Sequence, residues 1–80
     1  DNAMKYGVNE IRFMVLDNKY SGEVYVNVFD IVKFEYLKHN ERLRIYHSSG
    51  EYTDVDVDSV EDFLKHLNKA KDSDVLIVYP

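Results

Sequence analysis

RLRIYHSSGEYTDVDV, residues 42–57, decides how this chain folds. Two runs that alternate apolar and polar residues, 42–47 and 51–57, flank Ser48-Ser49-Gly50, and a period of two marks a strand with one buried face. A three-residue hairpin loop needs a left-handed residue at its last position. Glycine has no Cβ and takes that conformation at little steric cost. With the loop at 48–50, His47 lies opposite Glu51, Tyr46 opposite Tyr52, Ile45 opposite Thr53, Arg44 opposite Asp54, Leu43 opposite Val55 and Arg42 opposite Asp56. One face then matches apolar residues with apolar residues or threonine, and the other matches arginine with aspartate and tyrosine with tyrosine. A slip of one residue would set Ile45 against an aspartate, so the register carries its own check.

The second strand runs into DVDVDSVE, residues 54–61, whose alternate acids resemble the opening of a calcium loop. Such a loop needs glycine at its sixth place for a sharp turn and a bidentate glutamate at its twelfth. Counted from Asp54, those places hold Ser59 and Lys65. Asp54 and Asp56 are therefore read as partners of Arg44 and Arg42, and metal binding at Asp54, Asp56 and Asp58 is the least favoured of three functional readings.

Asp58 is read as a helix start. Val60, Phe63, Leu64, Leu67 and Ala70 recur at the spacing of an amphipathic helix, with Asp58 before them as N-cap and Glu61 three residues on in an acidic capping box. Asp62 suits the positive helix start, Lys69 and Lys71 the negative end, and Glu61–Lys65 and Asp62–His66 are favourable i, i+4 pairs. Beyond the polar break 71–74, VLIVY at 75–79 is apolar on both faces, which predicts a strand covered on both sides or paired in mid-sheet.

Towards the N-terminus, residues 10–16 predict a strand with Ile11, Phe13 and Val15 on one side, and NKYSG at 18–22 predicts a turn. The run 23–37 is too long for one ordinary strand. Asp30, a poor strand residue, divides it, and the later piece would carry Val32, Phe34 and Tyr36 on one face. Residues 38–41 are a polar connection. The order β, β, β, β, β, α, β predicts an α+β domain: a mainly antiparallel sheet of five to six strands with one amphipathic helix on one face.

Eighty residues suit a single small domain, which buries only about 60% of its unfolded surface. The leading Asp1-Asn2-Ala3 before Met4 reads as an expression-tag remnant, which places the domain at 4–80. With no cysteine, the fold must rest on packing rather than on disulfides or thiolate-bound metal. The longest apolar run, 75–79, is far too short to cross a bilayer, so the expectation is a soluble, cytoplasmic protein without membrane contact. The net charge of −5 disfavours a phosphate backbone as partner, although Lys38, Arg42 and Arg44 form a local basic cluster beside His39 and His47.

Catalysis needs a positioned acid, base or nucleophile. Glycine-rich phosphate loops, histidine pairs at metal spacing and the serine of a strand-turn-helix elbow are all missing from the sequence. A non-enzymatic domain without cofactor is expected. Most of the seven tyrosines and four phenylalanines suit a core. Tyr46 and Tyr52 fall on the arginine–aspartate face, where they form either a cross-strand pair or a contact surface.

The stretch VFDIVKFEYLKHNERLRIYHSSGEYTDVDVDSVEDFLKHL, residues 28–67, resembles the LytTR domain, a mostly β DNA-binding module of bacterial response regulators. The features that carry the resemblance are Asp30-Ile31, Phe34-Glu35, Gly50-Glu51, and Phe63, Leu64 and Leu67 on the helix. The family continues after its helix with an aromatic-arginine strand and a segment like Arg-x-His-x-Ser-Tyr. This chain continues with Lys71-Asp72-Ser73-Asp74 and VLIVYP, so no DNA-contacting residue carries over. The resemblance implies a related sheet. The leading expectation is a small intracellular protein-interaction module that engages a protein partner or a second copy of itself, with Lys38, Arg42, Arg44, Tyr46 and Tyr52 as its surface. The alternative is a LytTR-like nucleic-acid-binding regulatory domain.

Overall fold

The computed structural model describes residues 10–80. The tag reading of residues 1–3 and the domain start at residue 4 lie outside them. Six strands and one helix follow in the expected order: β1 (Phe13–Asn18), β2 (Gly22–Asn27), β3 (Ile31–Leu37), β4 (Arg42–His47), β5 (Tyr52–Asp56), α1 (Val60–Asp72) and β6 (Ile77–Val78). One-turn 3₁₀ helices, Val28–Asp30 and Lys38–Asn40, sit between β2 and β3 and between β3 and β4. Among the described residues no helix is long and apolar enough to cross a membrane.

The sheet order is β2-β1-β5-β4-β3, antiparallel throughout, with β6 added parallel to β1. The β4–β5 register is the one read from the sequence, from Arg42↔Asp56 to Tyr46↔Tyr52. Gly50 closes the hairpin at φ 93°, its N–H donating to the His47 carbonyl at 2.9 Å. In the β1–β2 turn the Asn18 Oδ1 accepts from the Tyr20 and Ser21 N–H groups, and Gly22 takes φ 89°. Asp30 divides the run between β2 and β3 as expected, because the Asn27 side chain caps a 3₁₀ turn there.

Between the helix and one sheet face lies a core built from Met14, Leu16, Val26, Val28, Leu43, Ile45, Val55, Phe63, Ala70 and Val78. Phe63 is its largest fully buried side chain and meets Phe34 edge-on at 5.1 Å. Burying a side chain of this kind contributes about 1.5–3 kcal/mol, and its truncation to alanine costs about 3–5 kcal/mol.

Five expectations need correction. The first strand spans Phe13–Asn18 rather than 10–16; Met14 and Leu16 join the core cluster, Val15 is buried on the opposite side, and Ile11, before the strand, is half exposed. Both parities of FMVL are apolar, so alternation alone could not choose between them. On β3, a bulge between Ile31 and Lys33 turns Val32 out to 64% exposure, while Ile31, Phe34 and Tyr36 pack on the core. The helix N-cap is Ser59, whose Oγ accepts from the Asp62 N–H at 3.0 Å, and Asp58 stands outside the helix. Leu64 lies largely outside the buried stripe. The 75–79 segment is neither central nor covered: only Ile77–Val78 pairs, at the side of β1, and only Val78 is buried.

Arg12 completes the helix end by donating its Nη1 to the Lys71 carbonyl at 2.9 Å, serving one of the carbonyls that the last turn leaves unpaired.

Candidate functional site

The helix covers one sheet face and leaves the other open, so the sequence at alternate positions writes out a surface. On the β3-β4-β5 half, cross-strand register places Lys33, Tyr46 and Tyr52 in one row, Glu35, Arg44 and Asp54 in the next, and Leu37, Arg42 and Asp56 in the third. The β1-β2 half of the same face carries Asp17 and Glu23, then Val15 and Tyr25.

Every base in these rows is answered within the chain. Arg44 donates Nε and Nη2 to the two Asp54 carboxylate oxygens at 2.8 and 3.0 Å, and its guanidinium lies 4.0 Å from the Tyr52 ring centroid. That two-point bond holds the Asp54 carboxyl below its ordinary range and raises the Arg44 guanidinium further above its own. Arg42 sits over the Tyr20 ring at 5.2 Å with its Nε 3.5 Å from Asp56 Oδ1, a charge contact too long for a good hydrogen bond. Lys33 lies 4.4 Å from the Tyr46 ring centroid and 3.7 Å from Glu35, whose other oxygen accepts from the Tyr46 hydroxyl at 2.9 Å. Tyr46 and Tyr52 meet edge-on at 5.9 Å.

The structure therefore brings together Arg42, Arg44, Tyr46 and Tyr52. Lys38 stands apart, exposed in the connection after β3. Sequence reasoning missed Lys33, Glu35 and Tyr20. The first two would have followed from pairing β3 with β4, but that hairpin turns at Glu41, φ 51°, and glutamate gives no hint of a left-handed residue.

The three aspartates of the DVDVD run do not converge. Asp54 and Asp56 are engaged by Arg44 and Arg42, Asp56 also accepts from the Lys19 N–H at 2.6 Å, and Asp58 is exposed. Among the described residues no three His, Asp or Glu side chains form a group that could hold a metal ion.

His66, expected beside Asp62 on a helix flank, is buried. β1 pairs with β6 at Phe13 and Met14 and with β5 only through Asp17↔Asp56, which leaves a gap between them. The Val15 carbonyl lies in that gap and accepts from His66 Nε2 at 2.9 Å, so an imidazole N–H stands in for a strand N–H. A cavity of about 140 Å³ opens beside it, lined by Val15, Val57, Phe63 and Pro80 among others. Ordinary ligand pockets run to roughly 300–1,000 Å³.

No family model, no curated protein and no solved structure matches this chain.

Proposed function

We propose that this chain is a small, non-enzymatic protein-interaction module that engages its partner through the helix-free sheet face and the strand edge beside it. One observation carries this reading: the open face is an ordered lattice of aromatic rings and charges, with Tyr52 and Lys33 more than half exposed. Exposed tyrosines beside arginine are the composition of a contact surface: the tyrosine ring buries large area at small entropy cost, and Arg44 is already held in place by Asp54.

Charge weighs against the nucleic-acid alternative. Lys33, Arg42 and Arg44 face Asp17, Glu23, Glu35, Asp54 and Asp56, three bases against five acids. A phosphate would have to displace Asp54 from a two-point bond to reach Arg44, inside a net negative field.

The test is a series of backbone amide spectra at rising protein concentration, run beside a low-salt titration with duplex DNA. Shifts on β3, β4 and β5, with none on α1 and none from the duplex, are expected. Duplex binding that weakens steeply with salt, or shifts confined to α1, would contradict the reading.

A further inference from the structure

β3 is the last strand of the sheet path, and among the described residues its outer edge carries no partner strand. Such an edge is a row of unpaired backbone groups that another strand can join. The backbone fixes which residues it offers. His47 donates its N–H to Glu51 across the β4–β5 hairpin, so Ile45 and Leu43 also bond towards β5, and Tyr46, Arg44 and Arg42 bond towards β3. Their partners Lys33, Glu35 and Leu37 are thereby used, and Phe34 and Tyr36 direct their N–H and C=O groups outward.

The sequence of this edge, Val32-Lys33-Phe34-Glu35-Tyr36, is complementary to its own reverse about Phe34. Antiparallel pairing requires outward-bonding residues to face one another, and a two-fold axis at Phe34 satisfies that rule. It sets Phe34 against Phe34 of the second copy, Lys33 against its Glu35, and Glu35 against its Lys33. The Lys33–Glu35 contact already present at 3.7 Å on the helix-free face would extend into a ring of four alternating charges.

The geometry points to a second copy of this chain as the partner, joined by β3-to-β3 antiparallel pairing centred on Phe34 to form one continuous sheet. This inference rests on the interaction reading above and names the partner. Charge complementarity selects that partner: shifting the strand by two residues breaks both cross-copy ion pairs. The lysine and the bulge, devices that blunt an edge against unspecific pairing, leave this one register open.

The experiment uses charge reversal on the full chain. Lys33→Glu gives an edge with two acids, and Glu35→Lys gives one with two bases; both positions are exposed. Masses are measured by sedimentation up to about 1 mM, where a millimolar dissociation constant still registers. The parent is expected to rise from 9.5 kDa towards twice that value. Each single variant should remain monomeric, while their equimolar mixture, and the double variant with both charges exchanged, should dimerise. A misfolded variant would not regain association on mixing. Dimers indifferent to both substitutions would overturn the β3 edge and leave the interaction reading in place. A parent constant at 9.5 kDa throughout would overturn the second copy as partner.

Discussion

Arg44 and Asp54 face each other across β4 and β5 and share two hydrogen bonds, at 2.8 and 3.0 Å, beneath the Tyr52 ring. The pair is the centre of the open face, and it makes stability depend on acid. The Asp54 carboxyl titrates lower when folded than when unfolded. Its contribution is therefore complete above the unfolded value, near 3.9, and is lost as pH falls through the lower folded value. Asp54→Asn should lower the unfolding midpoint by a few degrees at pH 7, and the difference from the parent should shrink below pH 4. A double-mutant cycle with Arg44→Ala, followed by thermal melting, checks this, and a difference independent of pH would count against the pair.

His66 holds a gap in the sheet, and its removal leaves the Val15 carbonyl buried without a donor. Such a loss costs about 1–3 kcal/mol. His66→Leu should lower unfolding free energy in urea by that amount, and His66→Gln, which keeps a donor, should recover part of it. Equal losses in both would assign the effect to packing instead.

Ser59, rather than Asp58, ends the chain's approach to α1 as the capping residue. Ser59→Ala should cost about 1 kcal/mol. Asp58→Ala should change stability far less, because its side chain is exposed and outside the helix. Denaturant melts of the two variants side by side check the order, and the reverse order would restore the capping box read from the sequence.

Tyr25 donates its hydroxyl to Glu23 at 2.9 Å, and this bond to a carboxylate is the main cause that raises its pKa from 10.0 to about 12. Ultraviolet titration should show a late step from Tyr25. Glu23→Gln should move that step towards 10, and Tyr25→Phe should abolish it.

These residues also show where the fold was legible. The 42–57 register was readable because a slip of one residue would have set a charge against the apolar face, and Gly50 announced its own turn. The face of β1 was not, because Phe13, Met14, Val15 and Leu16 are all apolar and only the partner strand distinguishes them. The bulge that exposes Val32 leaves no local mark, and VLIVY looked central although three of its five residues are more than half exposed. Of the candidate surface, the arginine–aspartate and tyrosine pairs followed from the hairpin, whereas Lys33 and Glu35 required the β3–β4 pairing. His66 was hidden because its partner is a backbone carbonyl 51 residues away.

The claim that β3 offers an unpaired edge to its own copy is tested most directly by amide hydrogen exchange at Phe34 and Glu35 as protein concentration rises. Glu35 bonds inward to β4 and should exchange at the same slow rate throughout, whereas Phe34 should be fast when dilute and become protected when concentrated. A Phe34 amide whose exchange is unchanged over the same range would contradict the account.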